Sequence, residues 1–216
     1  MNMMRLLGWL DCLEIMQSKN QFIVKENILQ LYKKEVVPWS NAPANLLKSL
    51  IEYLPTDAKI LDLGCGRGRN SFFLDQYGYK VLGLDISETA IQQAKDKKSK
   101  CEFKVFDLMH EEWPKDFDAV IDFGFYHFLP ETYRNNYMQK LNTSLKPNGI
   151  YCQQSGRNDI EHSYNRIPGE YIPPELNKED IIFDKYNILL CEEITIPPHG
   201  QWKKYPCWNL IARKYE

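Results

Sequence analysis

The sequence predicts an α/β protein built on a doubly wound, largely parallel sheet, preceded by amino-terminal helices. Three observations carry that expectation. Short apolar runs alternate with helix-spaced segments through the middle of the chain. The first run, "KILDL", passes straight into the glycine-dense turn "GCGRG" and then a helix pattern. The second run, "KVLGLD", ends on an acid, Asp85, about twenty positions after Gly64.

Taken in order, residues 4–16 and 22–36 have helical spacing (Leu6, Leu7, Leu10, Leu13; then Ile28, Leu29, Tyr32, Val36), and Pro38 ends the second segment. Asn41 is read as the cap of a helix through "APANLLKSLIEYL". After "KILDL" comes a helix from about Asn70 to Tyr77, then "KVLGLD" and a helix opened by Ser87 in "SETAIQQAK". The strands "EFKVFD" and "FDAVIDF", a helix in "ETYRNNYMQKLNTSL" and the strand "GIYCQQS" complete the alternation. The segments "IIFDKYNILLCEEITI" and "YPCWNLIARKY" have no helix pattern between them and are expected to pair as a hairpin at one sheet edge. The polar, proline-bearing stretch "GRNDIEHSYNRIPGEYIPPEL" is too long for a routine connection and is a candidate lid or substrate loop.

Composition narrows the function classes. With 216 residues, 44% of them hydrophobic, the chain can bury a sizeable core. Its 27 Lys and Arg against 29 Asp and Glu give no global positive field, so nucleic acid is a disfavoured partner. No apolar run reaches the length of a membrane span. The amino-terminal apolar stretch is interrupted by Asp11 and Glu14 and reads as an amphipathic helix rather than a leader. Six dispersed cysteines lack CxxC or zinc spacing, so no metal site or disulfide framework is expected, and a reducing, cytoplasmic compartment suits them. The run "KDKKSK" at 95–100 closes a helix, where cations complement the dipole, and is assigned no ligand.

The glycine turn narrows the ligand. Gly64, Gly66 and Gly68 lie between a strand and a helix, where a ligand can touch main chain without a Cβ in the way. Asp85 can accept from both hydroxyls of a ribose. The spacing is G-x-G-x-G rather than the dinucleotide G-x-G-x-x-G, and Asp62 stands just before it. An acid there disfavours a pyrophosphate and favours a ligand carrying an ammonium and a sulfonium. Asp107 in "VFDL" reads either as an acceptor for an adenine amino group or as a turn cap, with Ile86 and Phe106 as candidate walls for the ring. "FDAVIDFGFYHF" sets Asp122 and the segment Gly124–Phe128 over the expected methyl group.

Together, "LDLGCGRGRNS", "LGLDIS", "VFDL", "FDAVIDF", "LKPNGIY" and "WNLIARK" fall in the order of a known family: the chain resembles a class I S-adenosylmethionine-dependent methyltransferase over roughly residues 40–215. Within it, "RGRNS" and the short lead-in "VVPWSNAP" are similar to the small-molecule branch, the tellurite-resistance and thiopurine methyltransferase-like proteins, which use soft sulfur, selenium or tellurium nucleophiles. The resemblance implies a Rossmann-like, seven-stranded sheet with an antiparallel last strand. It implies S-adenosyl-L-methionine as cofactor, held by Asp62, Gly64, Gly66, Gly68, Asp85, Ile86, Asp107, Leu108 and Asp122. Residues 1–37 then form a helical extension, and residues 38–216 the methyltransferase domain.

Methyl transfer is an in-line displacement, so alignment and exclusion of water are the main demands. A thiolate needs no base. An alcohol or ammonium nucleophile would, and Asp122 and His127 are the candidate catalytic residues; for His127 a hydrogen-bonded histidine at a helix entrance is an equal reading. Trp39, Phe123, Phe125, Tyr126 and Phe128 supply either aromatic faces for the sulfonium or ordinary core. Arg157, His162, Tyr164 and Arg166, and His199, Trp202, Tyr205 and Trp208, read as pocket residues or as loop charge and packing. The extension is either a cover over the cofactor, hinged at Pro38 and Trp39, or plain packing. A small-molecule acceptor leads; methylation of protein or nucleic acid, and a cofactor-binding module without turnover, are the alternatives.

Overall fold

A computed structural model of the chain describes residues 29–30, 32–33, 40–129, 131–156, 176, 178–181, 183–196 and 205–216. The expected domain boundary at 37, and most of the extension before it, lie outside the described residues; residues 29–30 and 32–33 are helical. The strands are β1 (Lys59–Leu63), β2 (Lys80–Asp85), β3 (Glu102–Val105), β4 (Phe117–Phe123), β5 (Leu145–Gly156), β6 (Tyr186–Ile196) and β7 (Tyr205–Lys214). They form one seven-stranded sheet in the order β3-β2-β1-β4-β5-β7-β6. β1 pairs in parallel with β2 and β4, and the parallel pairing extends to β3 and β5. Only β7 is reversed, antiparallel to both β5 and β6. The doubly wound sheet with an antiparallel last strand, and its edge hairpin, are as expected.

Helices α1 (Leu46–Ile51), α2 (Arg69–Gln76), α3 (Glu88–Lys95) and α4 (Glu131–Ser144) cover the sheet. Central strands buried on both faces must be apolar on both, and β1 is buried from Ile60 to Leu63. One face gathers Leu61, Leu63, Val120, Tyr151 and Leu210 with Tyr137 and Leu141 of α4. The other gathers Ile60, Val81, Ala119, Ile121 and Ile150 with Leu46, Leu47 and Leu50 of α1 and Leu74 of α2. No helix among the described residues is long and apolar enough to cross a membrane.

Two local expectations are corrected. Asn41 does not cap α1; the helix starts at Leu46 with Asn45 at its N-cap position and no side-chain cap. Residues 40–44 instead form a lead-in held by α2: Arg69 Nη1 donates to the carbonyls of Ser40 (2.8 Å) and Ala42 (3.2 Å), and the Ala44 N–H donates to Asn70 Oδ1 (3.1 Å). β3 stops at Val105, so Asp107 lies two residues past it, in a turn. Ser87 does cap α3, its Oγ accepting from the Ala90 N–H at 3.2 Å.

Candidate cofactor and active site

Strand order reverses between β1 and β4, and Leu63 is level with Leu84 of β2 and Asp122 of β4. In open parallel sheets this crevice at the strand tips is where ligands bind. Gly64, Gly66 and Gly68 emerge there at φ 65°, 55° and 78°, the left-handed region that side chains resist. A Cβ on Gly66 would also lie 2.5 Å from Tyr32 Oη. Tyr32, 3% exposed, therefore closes over the turn from the amino-terminal helix, and Arg67 Cζ lies 5.8 Å from its ring centroid.

Asp85 ties the turn to α3. Its Oδ2 accepts from the Gly66 N–H and its Oδ1 from the Ser87 N–H, each at 2.8 Å. A carboxylate has about four acceptor positions, so with the backbone N–H of Ile86 also turned to it, capacity for a ribose hydroxyl remains. Burial pushes its pKa up, and the backbone N–H bonds work against that shift. Ile86, half-buried, follows at the tip of β2.

Asp62 faces α2, where Ser71 Oγ donates to its Oδ2 at 2.5 Å. Burial drives its pKa up to about 7, opposed first by the Ser71 bond and then by Arg69, while Asp122 and Asp85 add to the rise. This carboxyl, stripped of water and beside the turn, gains from any cation that comes to it.

Beyond β3, Asp107 Oδ1 accepts from the Met109 N–H (3.0 Å), and His110 Nδ1 lies 3.1 Å from its Oδ2. The side chain thus caps its own turn. Leu108 is buried, and its carbonyl accepts from Trp113 Nε1 at 2.8 Å. Lys140 of α4 holds the same turn, its Nζ donating to the carbonyls of Leu108 (3.3 Å), Met109 (2.9 Å) and Glu111 (2.8 Å).

At the tip of β4, Asp122 is fully buried. Its Oδ1 accepts from the Phe125 N–H (2.8 Å); its Oδ2 accepts from the Tyr126 N–H (3.0 Å) and the Tyr137 hydroxyl (2.8 Å). Tyr137 in turn shares a 2.8 Å hydrogen bond with the Tyr151 hydroxyl on β5. Burial raises the Asp122 pKa to about 6 against those donors. His127 bridges the tips of β4 and β5: its Nδ1 accepts from the Gly156 N–H at 3.3 Å. Burial lowers its pKa to about 4. The ring is therefore neutral at pH 7, with its proton on Nε2.

The structure thus brings Asp62, the three glycines, Asp85, Ile86, Asp122 and His127 to one edge of the sheet. Asp107 and Leu108 lie on the adjoining turn. Phe125 and Tyr126 pack on Tyr137 in the core. Trp208 is buried, its Nε1 donating to the Leu176 carbonyl at 3.0 Å. Trp39, Arg157, His162, Tyr164, Arg166, His199 and Trp202 lie outside the described residues, as does the side chain of Tyr205. Sequence reasoning missed Tyr32, Tyr137, Tyr151 and Lys140 as site-shaping residues. Tyr32 stood in an apolar helical stripe, and only its hydroxyl set it apart.

Residues 60–149 match a family described as a methyltransferase domain. Over 98 residues the chain is 37% identical to an uncharacterized methyltransferase of Schizosaccharomyces pombe, a match covering 43% of this chain and 68% of that protein. Two further methyltransferases of that yeast, 40% identical, are spanned over 60% and 59% of their lengths. A 2-heptyl-1-hydroxyquinolin-4(1H)-one methyltransferase of Mycobacteroides abscessus is 30% identical over 121 residues, 53% of each chain. Among solved structures, a Burkholderia thailandensis 1,6-didemethyltoxoflavin-N1-methyltransferase shares the fold at TM-score 0.72 and 16% identity, covering 93% of this chain and 91% of that one. With the bare turn, the acids at the strand tips and these relatives in agreement, the chain belongs to the class I S-adenosylmethionine-dependent methyltransferases.

Proposed function

We propose that this methyltransferase transfers the methyl group to a small molecule whose nucleophile is ready to attack without enzymatic deprotonation: a thiolate or related chalcogen anion. One observation carries the reading. The two groups at the β4 tip that could serve as bases are both committed, Asp122 to main-chain and tyrosine donors and His127 to the Gly156 N–H. Their task is then to shape the crevice, with Asp122 fixing the turn after β4 and His127 joining it to β5. Bound S-adenosylmethionine supplies an electrophilic methyl on a sulfonium. Around it, Gly64, Gly66 and Gly68 offer bare main chain, Asp85 receives a ribose hydroxyl, and Ile86 and Leu108 flank the adenine. Asp107 lies at the adenine edge, and Asp62 answers the positive methionine end. The extension of residues 1–37 is assigned the role of cover, hinged at Pro38 and Trp39; the position of Tyr32 against Gly66 supports that role. The Mycobacteroides relative's small aromatic substrate also favours a small acceptor.

The test is a screen of acceptors with radiolabelled methyl donor, starting with thiols and chalcogen oxyanions. We expect turnover of a thiol at a rate that climbs with pH along the thiol's own ionisation, with the same profile in His127→Gln. Label appearing only in protein or RNA would overturn the small-molecule reading. A pH limb that vanishes in His127→Gln would overturn the base-free one.

A further inference from the structure

Two separate pieces of the chain before α1 dock on the glycine turn and the start of α2. Tyr32 is buried against Gly66. Further along, residues 40–44 are tied to the first two residues of α2: Arg69 Nη1 divides its donation between the carbonyls of Ser40 (2.8 Å) and Ala42 (3.2 Å), and Asn70 Oδ1 accepts from the Ala44 N–H (3.1 Å). Ser40 Oγ accepts from the Ala42 N–H at 2.9 Å, closing the lead-in into a local turn that presents both carbonyls to one guanidinium. Arg69 directly follows Gly68, the last left-handed glycine of the turn. Asp62 helps hold the Arg69 pKa up against burial, yet takes its own side-chain hydrogen bond from Ser71, so the Arg69 donors stay on main chain. The Arg69 charge also reaches Tyr32, where it works against the rise that burial gives the phenol pKa.

We propose that Arg69 is a positioning residue for cofactor retention: by holding residues 40–44 on α2 it keeps Tyr32 seated on Gly66 and so slows release of bound S-adenosylmethionine. The inference rests on the cover reading above and names the residue that works the cover; it does not depend on the identity of the methyl acceptor. The physical reason is tethering. With the lead-in fixed, only the short stretch from Tyr32 to Ser40 separates Tyr32 from an anchor beside its own docking point, so its effective concentration there is high. With the lead-in released, the nearest helix that holds Tyr32 to the domain is α1, and the contact with Gly66 is made less often. Arginine suits the task because its planar fork is pre-organised to serve two carbonyls, which the compact ammonium of a lysine is not.

Two measurements on the full chain test it: the rate at which bound S-adenosylmethionine is released into an excess of its demethylated product, and limited trypsin digestion at Lys25, Lys33 and Lys34 with and without cofactor. In the wild type we expect cofactor to slow those cuts. Arg69→Gln should speed release about tenfold, the loss of a charged hydrogen bond of roughly 1.4 kcal/mol, and should abolish the cofactor-dependent protection, which a general loss of stability would not single out. Arg69→Lys keeps the charge beside Asp62 without the fork; it should release cofactor several-fold faster than the wild type, and it carries the test should Arg69→Gln fail to fold. Release and protection unchanged in both variants would overturn the role of Arg69 while leaving the cover in place. Fast release in Arg69→Gln with wild-type behaviour in Arg69→Lys would overturn it too, by assigning the effect to charge. A wild type whose cuts ignore cofactor would remove the cover reading and this inference with it.

Discussion

Asp62 and Asp122 are both carboxyls taken out of water, and their partners differ. Asp122 meets three donors; Asp62 meets Ser71 and feels Arg69 only at a distance. Because folding raises both pKa values, to about 7 and about 6, the folded chain holds more protons than the unfolded one above the ordinary carboxylate range. Their contribution to stability therefore falls as pH rises toward 7 and is flat above it. A cationic ligand reverses the preference at Asp62 by favouring its ionised form. We expect S-adenosylmethionine affinity to rise up to about tenfold between pH 6 and 8, with Asp62→Asn removing that rise in calorimetry. Gly66 makes a second residue-scale case. Gly66→Ala imposes a left-handed alanine, costing roughly 1–2 kcal/mol, and sets its methyl against the Tyr32 hydroxyl. Chemical denaturation should show that loss together with weakened cofactor binding, and Tyr32→Phe should recover part of it in the double variant.

At the scale of elements, α4 buries an unusual face for an amphipathic helix: Arg134, Tyr137, Lys140, Leu141 and Ser144. The polar members have tasks across the chain, Tyr137 on Asp122 and Lys140 on the turn after β3. Lys140→Met leaves three carbonyls without their ammonium and should cost about 2–4 kcal/mol in urea titration. It should also weaken cofactor binding, since the same turn carries Asp107 and Leu108. Such pairings were not legible in the sequence, because apolar spacing reports which face is buried and not what a buried polar tip meets. The misplaced cap at Asn41 has the same origin. Local preference favoured a cap, but Arg69 and Asn70, distant in sequence, hold residues 40–44 as a lead-in. Ser87, whose capping bond is local, was readable.

For the whole molecule, cofactor binding only to the folded state makes stability depend on ligand concentration. At a hundredfold excess over Kd the gain is about 2.7 kcal/mol, or roughly 5–11 °C in melting temperature for a chain of this size. A thermal melt with S-adenosylmethionine and its demethylated product checks this, and an unmoved transition would count against the cofactor site. The molecule's seams are also set at this scale. Asp118 of β4 accepts from the Lys59 N–H at the start of β1 and from Lys146 Nζ of β5, both at 2.8 Å, aligning three strands opposite the crevice.

The sequence by itself determined the alternation of strands and helices, the pairing of the last two apolar segments as a hairpin, the bare turn and the acids at the strand tips. Each rests on local periodicity, glycine backbone freedom or fixed spacing along one chain. Only the tertiary structure decided that Asp122 and His127 are occupied, that Tyr32 closes over Gly66, and that Arg69 grips the carbonyls of Ser40 and Ala42. Those facts depend on side chains from separate elements meeting across the sheet, and the burial that shifts their protons exists only once the chain has packed.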